Sequence, residues 1–460
     1  NKLIWSNRWR TIQLMASTSL TRTVSSTGSL TTGTLSMWFK RTTIDAEQYL
    51  FENYETSGNR IMIRLLSSNQ INLEVKQGNA TKCQMNTSGM FRDPNAWYHV
   101  VFAMDSSQAT ASNRLKVYIN GVLQTSFTDI TYPSSQNQNM SFNEGNPTYV
   151  TIGRQYGASN YFDGLMSHVH WIDGTQYAAS DFGETDSTTG QWKIKTSPSV
   201  TYGTNGFFIL KDGNSVTDQS GQSNNLTAAT GTLTNTEDCP SNVFATLNPL
   251  HKTGGTALNA LANGNLTYTG HSGTSYSGTY STLAASSGKY YAEFKCTGGG
   301  GAGDMMIGAG NGITNTTAPG ASSNDLVVFG YDGKYYNGGS GVSWGGSSWT
   351  SGDIIGVAMD LDNNKLYVSK NGTYMNSGNP TSGSSGTGAL TLATSTTGVY
   401  HFLLGDYGGD GTPICESNFG NGFFGTTAIS SEGTNASGIG KFEYDVPAGY
   451  TALSTKGLNE

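Results

Sequence analysis

One short passage is written into this chain twice. Ala103-Met104-Asp105, a loop and then Leu115-Lys116-Val117-Tyr118-Ile119-Asn120-Gly121 return as Ala358-Met359-Asp360, a shorter loop and then Lys365-Leu366-Tyr367-Val368-Ser369-Lys370-Asn371-Gly372. Leu115, Val117 and Ile119 alternate with polar neighbours, as do Leu366 and Val368, which is the period-2 pattern of a strand with one face on a core. The Asn-Gly that closes each copy supplies the positive φ values a tight strand-to-strand turn needs. Each copy predicts two antiparallel strands closed by a turn, and together they predict two β-domains of related architecture.

The rest of the composition agrees. Only 12% of the 460 residues are charged, about half the usual share of roughly 25%, and Ser, Thr, Asn and 61 Gly fill the gap. That mixture suits strands and turns rather than helices. Tyr (24), Phe (18) and Trp (8) supply core material, and the length suffices for two sandwiches with a connector. No stretch keeps helical periodicity or nears the roughly 20 apolar residues of a bilayer span, so membrane insertion is not expected. A net charge of -7 without a Lys/Arg cluster argues against nucleic acid as a partner. Cys83, Cys239, Cys296 and Cys415 form no CxxC pair, which predicts free thiols in or near the cores rather than a zinc knuckle or a disulfide framework. The opening Asn1-Lys2-Leu3 reads as a processed or incomplete start.

Short strands separated by Gly, Asn and Ser turns run to about residue 185. Leu35 to Lys40 and Ile61 to Leu65 alternate, while Trp97 to Met104 is apolar at nearly every position, as in a central strand covered on both sides. Residues 186–250 shift towards Thr, Ser, Asn and Gly, yet Gly206-Phe207-Phe208-Ile209-Leu210 reads as a strand. Residues 200–230 are therefore assigned to the first sandwich as a returning strand. Pro240 and Pro249 mark the junction, giving domains 1–233 and 251–460 with a connector over 234–250. In the second domain Tyr290, Ala292, Phe294 and Cys296 share one strand face.

Several of these motifs resemble known families. Trp97-Tyr98-His99-Val100-Val101, Val117-Tyr118-Ile119-Asn120-Gly121, Ile152-Gly153-Arg154 and Tyr161-Phe162-Asp163-Gly164-Leu165-Met166-Ser167-His168-Val169 resemble the laminin G-like, concanavalin A-type jelly roll. Asp218-Gln219-Ser220-Gly221 is similar to an Asp-x-Ser-Gly turn of the same domains. In the second half Gly352-Asp353-Ile354-Ile355-Gly356, Lys370-Asn371-Gly372, Asn418-Phe419-Gly420 and Pro447-Ala448-Gly449-Tyr450 resemble the SPRY domain, also a concanavalin A-type sandwich. The expected fold class is all-β: two concanavalin A-like antiparallel β-sandwiches (jelly rolls) in tandem. The pairing resembles virion proteins of tailed bacteriophages, marine ones in particular. That resemblance implies a virion structural protein, a tail fibre or capsid-surface decoration, at the virion surface. Its implied partners are other virion proteins and a host cell-surface glycan or protein, with the chain a homo-oligomer acting in host attachment. A secreted lectin or adhesion module would share every strand motif, and a glycan-degrading enzyme is the third alternative.

Residues that could carry chemistry are few. His168-Val169-His170 puts two imidazoles on one strand face about 7 Å apart by strand rise. With Asp163 they are the metal candidates, against the plainer reading of polar residues on a solvent face. No cofactor is expected, although the laminin G-like resemblance leaves calcium open, with Asp163, Asp173 and Asp105 as candidates by residue type. Glycosidases need two carboxylates flanking the scissile bond. The nearest pattern, Glu443-Tyr444-Asp445, lacks the third acid of the laminarinase-like enzymes, so no catalytic role is expected. Gly298 to Gly303 opens no helix and reads as a loop. Aromatics in Gly-rich loops are the binding candidates: Tyr335 and Tyr336, Trp344 and Trp349, and the Tyr156 to Tyr161 loop. Flat amphipathic rings beside adaptable hydrogen-bonding groups suit sugars and protein surfaces alike. For Trp344 and Trp349 the alternative is a cap on the sandwich core.

Overall fold

Both copies of the doubled passage form the predicted hairpins, and the two Asn-Gly turns share a further device. Tyr98–Asp105 pairs antiparallel with Leu115–Ile119, and Ile354–Asp360 with Lys365–Lys370. Asn120 and Asn371 have φ of 47° and 49°, followed by Gly121 and Gly372 at 83° and 79°. Asn120 donates its backbone N–H to His99 O at 2.8 Å and accepts the His99 N–H on its side-chain oxygen at 2.8 Å. Asn371 does the same with Ile354, at 2.8 and 2.9 Å. Each asparagine side chain thus continues the ladder where its backbone has turned away, satisfying an amide that would otherwise be lost.

The computed structural model describes residues 11–14, 17–24, 26–140, 148–211, 216–254, 260–271, 276–298, 302–313, 318–407 and 412–459. Their regular structure is nearly all strand, with short 3₁₀ turns and no α-helix. The chain divides into two units, Asn1–Ser241 and Asn242–Glu460.

The first unit stacks two eight-stranded sheets. One centres on Thr32–Arg41, which lies between Tyr98–Asp105 and Gly164–Asp173. The other contains Ser19–Val24, Thr148–Ile152, Gln48–Thr56, Asn59–Leu65, Ile71–Gln77 and Ala80–Thr87 as successive neighbours. Leu35, Met37, Phe39 and Phe102 of the first meet Phe51, Ile63, Leu73 and Ile152 of the second in one core. The first sheet is covered on its other face too, where Val101 and Ile172 pack with Phe182, Tyr202 and Phe208. This accounts for the nearly continuous apolar run of Tyr98–Asp105. The predicted return of residues 200–230 is present as Phe207–Ile209 on Gly164–Asp173 and Thr227–Thr230 on Ser19–Val24. Asp218 holds the turn between them by accepting the N–H groups of Phe208, Ser220 and Asn224.

The second unit has a seven-stranded and a nine-stranded sheet. Tyr290, Ala292, Phe294 and Cys296 face its core as the alternation predicts. Their neighbours Tyr291 and Glu293 are also buried, because residues 442–452 fold over the outer face with Phe442, Val446 and Tyr450. Glu293 clamps that segment: its carboxylate accepts the N–H groups of Glu443 and Tyr444, both at 2.8 Å. The four cysteines are free and buried, with the Cys296 and Cys415 sulfurs 4.0 Å apart on neighbouring strands.

Residues 234–250 differ from the expected connector. Leu233–Thr236 is a strand of the first unit, and Leu247–Gly254 is an edge strand of the second. Between them Asp238 binds the buried Lys40 ammonium at 2.7 Å and the Trp97 indole N–H at 3.0 Å. A buried ammonium requires a counter-charge, so this polar stretch is structural rather than a free linker. Pro249 is tolerated because its strand lies at a sheet edge with shifted register.

Replacing Asn371 by Ala removes both the positive-φ preference and the bond to Ile354, and is expected to cost about 1–3 kcal/mol. Asn371→Gly restores the backbone preference alone and should cost less. Denaturant unfolding of the two variants checks this ordering.

Candidate functional site

Tyr54 and Tyr149 stand opposite each other where Gln48–Thr56 pairs with Thr148–Ile152. The two-residue period sends both away from the core that holds Phe51, Val150 and Ile152. Beyond Ile152 the chain turns at Gly153 (φ 81°) and closes a narrow loop through a Gln155–Ser159 bridge. Gly157 and Ala158 provide the further positive φ values, 98° and 63°. The loop lays Tyr156 back onto the strands. Its ring lies 4.1 Å from that of Tyr54 at 13° and 5.0 Å from that of Tyr149 at 28°. Tyr156 remains 37% exposed, so the stack offers an open aromatic face.

Glu52, two residues before Tyr54, anchors the loop by accepting the Tyr156 N–H at 2.6 Å. It is fully buried, and Arg60 approaches it at 3.4 Å. Burial pushes its carboxyl up to about 7, against the opposing pull of the Tyr156 N–H and Arg60. Arg60 is the cross-strand neighbour of Tyr54. Further along the same sheet Arg64 bonds Tyr49, Asn72, Glu47 and Glu74. A flat phenol stack beside guanidinium and amide groups can hold a ring by its C–H face while bonding its hydroxyl groups.

Of the aromatic candidates, the structure places Tyr156 in this stack and Tyr161 half-buried near the end of the same loop. In the second unit Tyr335 and Tyr336 form a short half-buried strand, and Tyr336 donates to Asp332 at 3.2 Å. Trp344 is half-buried with its indole N–H on Gly333 O at 2.9 Å. Trp349 is corrected as a binding candidate and follows the core-cap reading instead: at 2% exposure it belongs to the core, since a large ring beside small glycines fills the space they leave. Sequence reading missed Tyr54, Tyr149, Glu52 and Arg60. Alternation alone would have turned Tyr54 and Tyr149 outward, but the pairing that brings them together joins strands about a hundred residues apart.

The metal candidates are not brought together. Among the described residues no three His, Cys, Asp or Glu side chains converge as ligands. Asp163 accepts the Thr43 hydroxyl at 2.8 Å, Asp105 binds Ser107 and Gln108, and Asp173 accepts the N–H groups of Ser29 and Asn205. Gly299 to Gly301 lie outside the described residues. His168 and His170 are not on a solvent face either: each is 2% exposed. A bulge at Ser167–His170 gives His168 a φ of 47°, with Ser167 Oγ 2.7 Å from its Nδ1. His170 meets the Tyr202 hydroxyl at 2.9 Å and stacks on Phe208 at 3.9 Å. His99 is buried beside them. Its Nδ1 accepts the Trp192 indole N–H at 3.0 Å, which places its proton on Nε2 towards Ser36 Oγ at 2.8 Å. Burial pushes His99 and His168 down to about 3 and His170 well below the usual range.

Residues 16–180 match the family described as the Concanavalin A-like lectin/glucanases superfamily, Laminin_G_3. No curated protein matches the chain. Among solved structures it is similar to the SPRY domain of human HERC1, with 17% identity over 37% of this chain and 96% of that one and a TM-score of 0.29. It is also similar to the heptameric SAP-like pentraxin of Limulus polyphemus, with 16% identity over 37% and 78% and a TM-score of 0.28. A third is the CBM40 of a Ruminococcus gnavus IT-sialidase bound to α2,3 sialyllactose, with 17% identity over 35% and 88% and a TM-score of 0.26.

The buried histidines set a pH dependence. Below pH 6.5 the unfolded chain takes up protons that the folded His99 and His168 refuse until about 3. Stability should therefore fall as pH falls, by up to about 1.4 kcal/mol per pH unit for each histidine. Glu52 works in the opposite direction between 4.5 and about 7, so the loss steepens below 4.5. Thermal unfolding of the first unit followed from pH 7 to pH 4 should show this fall, and His99→Gln should flatten it.

Proposed function

We propose that this chain is a non-catalytic adhesion module that binds glycans through the Tyr54, Tyr149 and Tyr156 stack. The carrying observation is the open face of Tyr156, held by Glu52 and flanked by Arg60. The match of residues 16–180 to the concanavalin A-like lectin and glucanase superfamily supports a sugar as the ligand. A binding role is favoured over hydrolysis because the acids of Glu443-Tyr444-Asp445 are engaged in turns. Glu443 accepts from the Ser430 N–H and hydroxyl, and Asp445 from those of Thr434. The sequence resemblance to tailed-phage virion proteins extends the proposal to a virion surface, where many copies multiply a modest affinity per site.

A glycan array probed with the full chain tests this. Tyr156→Ala should lower affinity about tenfold, or about 1.4 kcal/mol. Glu52→Ala should weaken binding similarly by releasing the loop, whereas Glu52→Gln keeps an acceptor for the Tyr156 N–H and should retain binding. Full glycan binding by Tyr156→Ala would refute the site. Mass spectrometry of purified particles tests the virion placement, which the chain's absence from them would overturn.

A further inference from the structure

The second unit contains a cleft of about 380 Å³ at the start of its central strand Lys289–Gly298. This falls within the roughly 300–1,000 Å³ of small-molecule sites. Its walls come from Gly288 to Tyr290, from Asp362, and from a C-terminal stretch that includes Ser437 and Thr451. Parallel pairing of Thr451–Ala452 with Tyr290 and Tyr291 brings that stretch into place. Gly449, at φ 85°, has open space where a side chain would begin, which leaves the cleft unobstructed there.

The lining is chemically selective. The Lys289 ammonium lies 3.1 Å from the fully buried Asp360 carboxylate and 5.8 Å from the centre of the Tyr450 ring. Its position is therefore fixed and its charge balanced, while an ammonium carries three donors. Asp362, on the exposed rim, accepts the Gly288 N–H at 2.7 Å with one of its two oxygens. Thr451 forms part of the wall but is only 6% exposed, and its hydroxyl oxygen is closed off from the cleft. Ser437 also lines the cleft; its hydroxyl donates to Asn435 Oδ1 at 2.8 Å and accepts the Ile439 N–H at 3.2 Å, which leaves it one lone pair as an acceptor.

We propose that this cleft binds a neutral hydroxylated ligand, a saccharide of one or two rings. Alternating donors and acceptors suit hydroxyl groups, which act as both. An anion would meet Asp362 while Lys289 is already neutralised by Asp360, a cation would meet the Lys289 ammonium, and an apolar ligand would strand the polar walls. The site is separate from the Tyr156 stack, so one chain carries two saccharide sites.

The test is saturation-transfer NMR on the full chain with methyl glycosides of glucose, mannose and galactose as probes. In a Tyr156→Ala background a saccharide signal should persist. Adding Ala436→Trp, which fills the cleft from an exposed alanine without removing a polar partner, should abolish it. Asp362→Asn should weaken it. If Tyr156→Ala alone removes all signal, the cleft proposal fails and the stack stands. If the signal survives both Tyr156→Ala and Ala436→Trp, or the unmodified chain gives none, the cleft is not a saccharide site. Circular dichroism of each variant confirms that the fold is kept.

Discussion

The central sheets of both units are buried on both faces, and much else follows from that constraint. On a strand with no wet face an unmatched polar side chain is expensive, because an unpaired buried donor or acceptor costs about 1–3 kcal/mol. In the first unit the outer face of the Tyr98–Asp105 and Gly164–Asp173 strands carries three histidines, and the covering segments arrive with the matching groups, Trp192 for His99 and Tyr202 for His170. In the second unit Glu293 occupies the equivalent covered position and is satisfied by backbone N–H groups of the segment that covers it. Sheet and cover are specified together, so neither polar set makes sense without the other.

This arrangement leaves binding to the surfaces that stay wet. The second sheet of the first unit carries polar and aromatic groups on the face away from its core, and Tyr156 is folded onto that face. Glu52 links the two demands: it is buried enough to be raised to about 7, yet it positions the most exposed ring of the stack. Rigid strands supply two of the three tyrosines and a short loop supplies the third, which combines a preorganised base with an exposed contact.

Legibility varied with the distance over which a feature is determined. Alternation at Leu115, Val117 and Ile119 and at Tyr290, Ala292, Phe294 and Cys296 identified strands and their inward faces, because a period of two is local. The Asn-Gly turns were legible for the same reason. For His168 and His170 alternation reports only that they share a side, not whether another segment covers that side, so neither a metal site nor a solvent face follows from it. Residues 234–250 looked like a linker because Thr, Asn and Pro are what a linker contains, and only the buried ammonium of Lys40 gives Asp238 its structural role. Trp349 looked available in a Gly-rich loop, but small neighbours leave room for a large ring to enter the core.

By itself, then, the sequence determined a nearly all-β chain with two related strand-hairpin units, weak charge and no sustained helix, since these depend on composition and on neighbours a few residues apart. Tertiary structure alone decided which faces are wet. It joined Tyr54, Tyr149 and Tyr156 into one surface, and it brought Lys289, Asp362 and Thr451 to one cleft. Those groupings depend on strand pairings and returning segments from about a hundred to more than a hundred and fifty residues apart, a separation over which a local pattern carries no register.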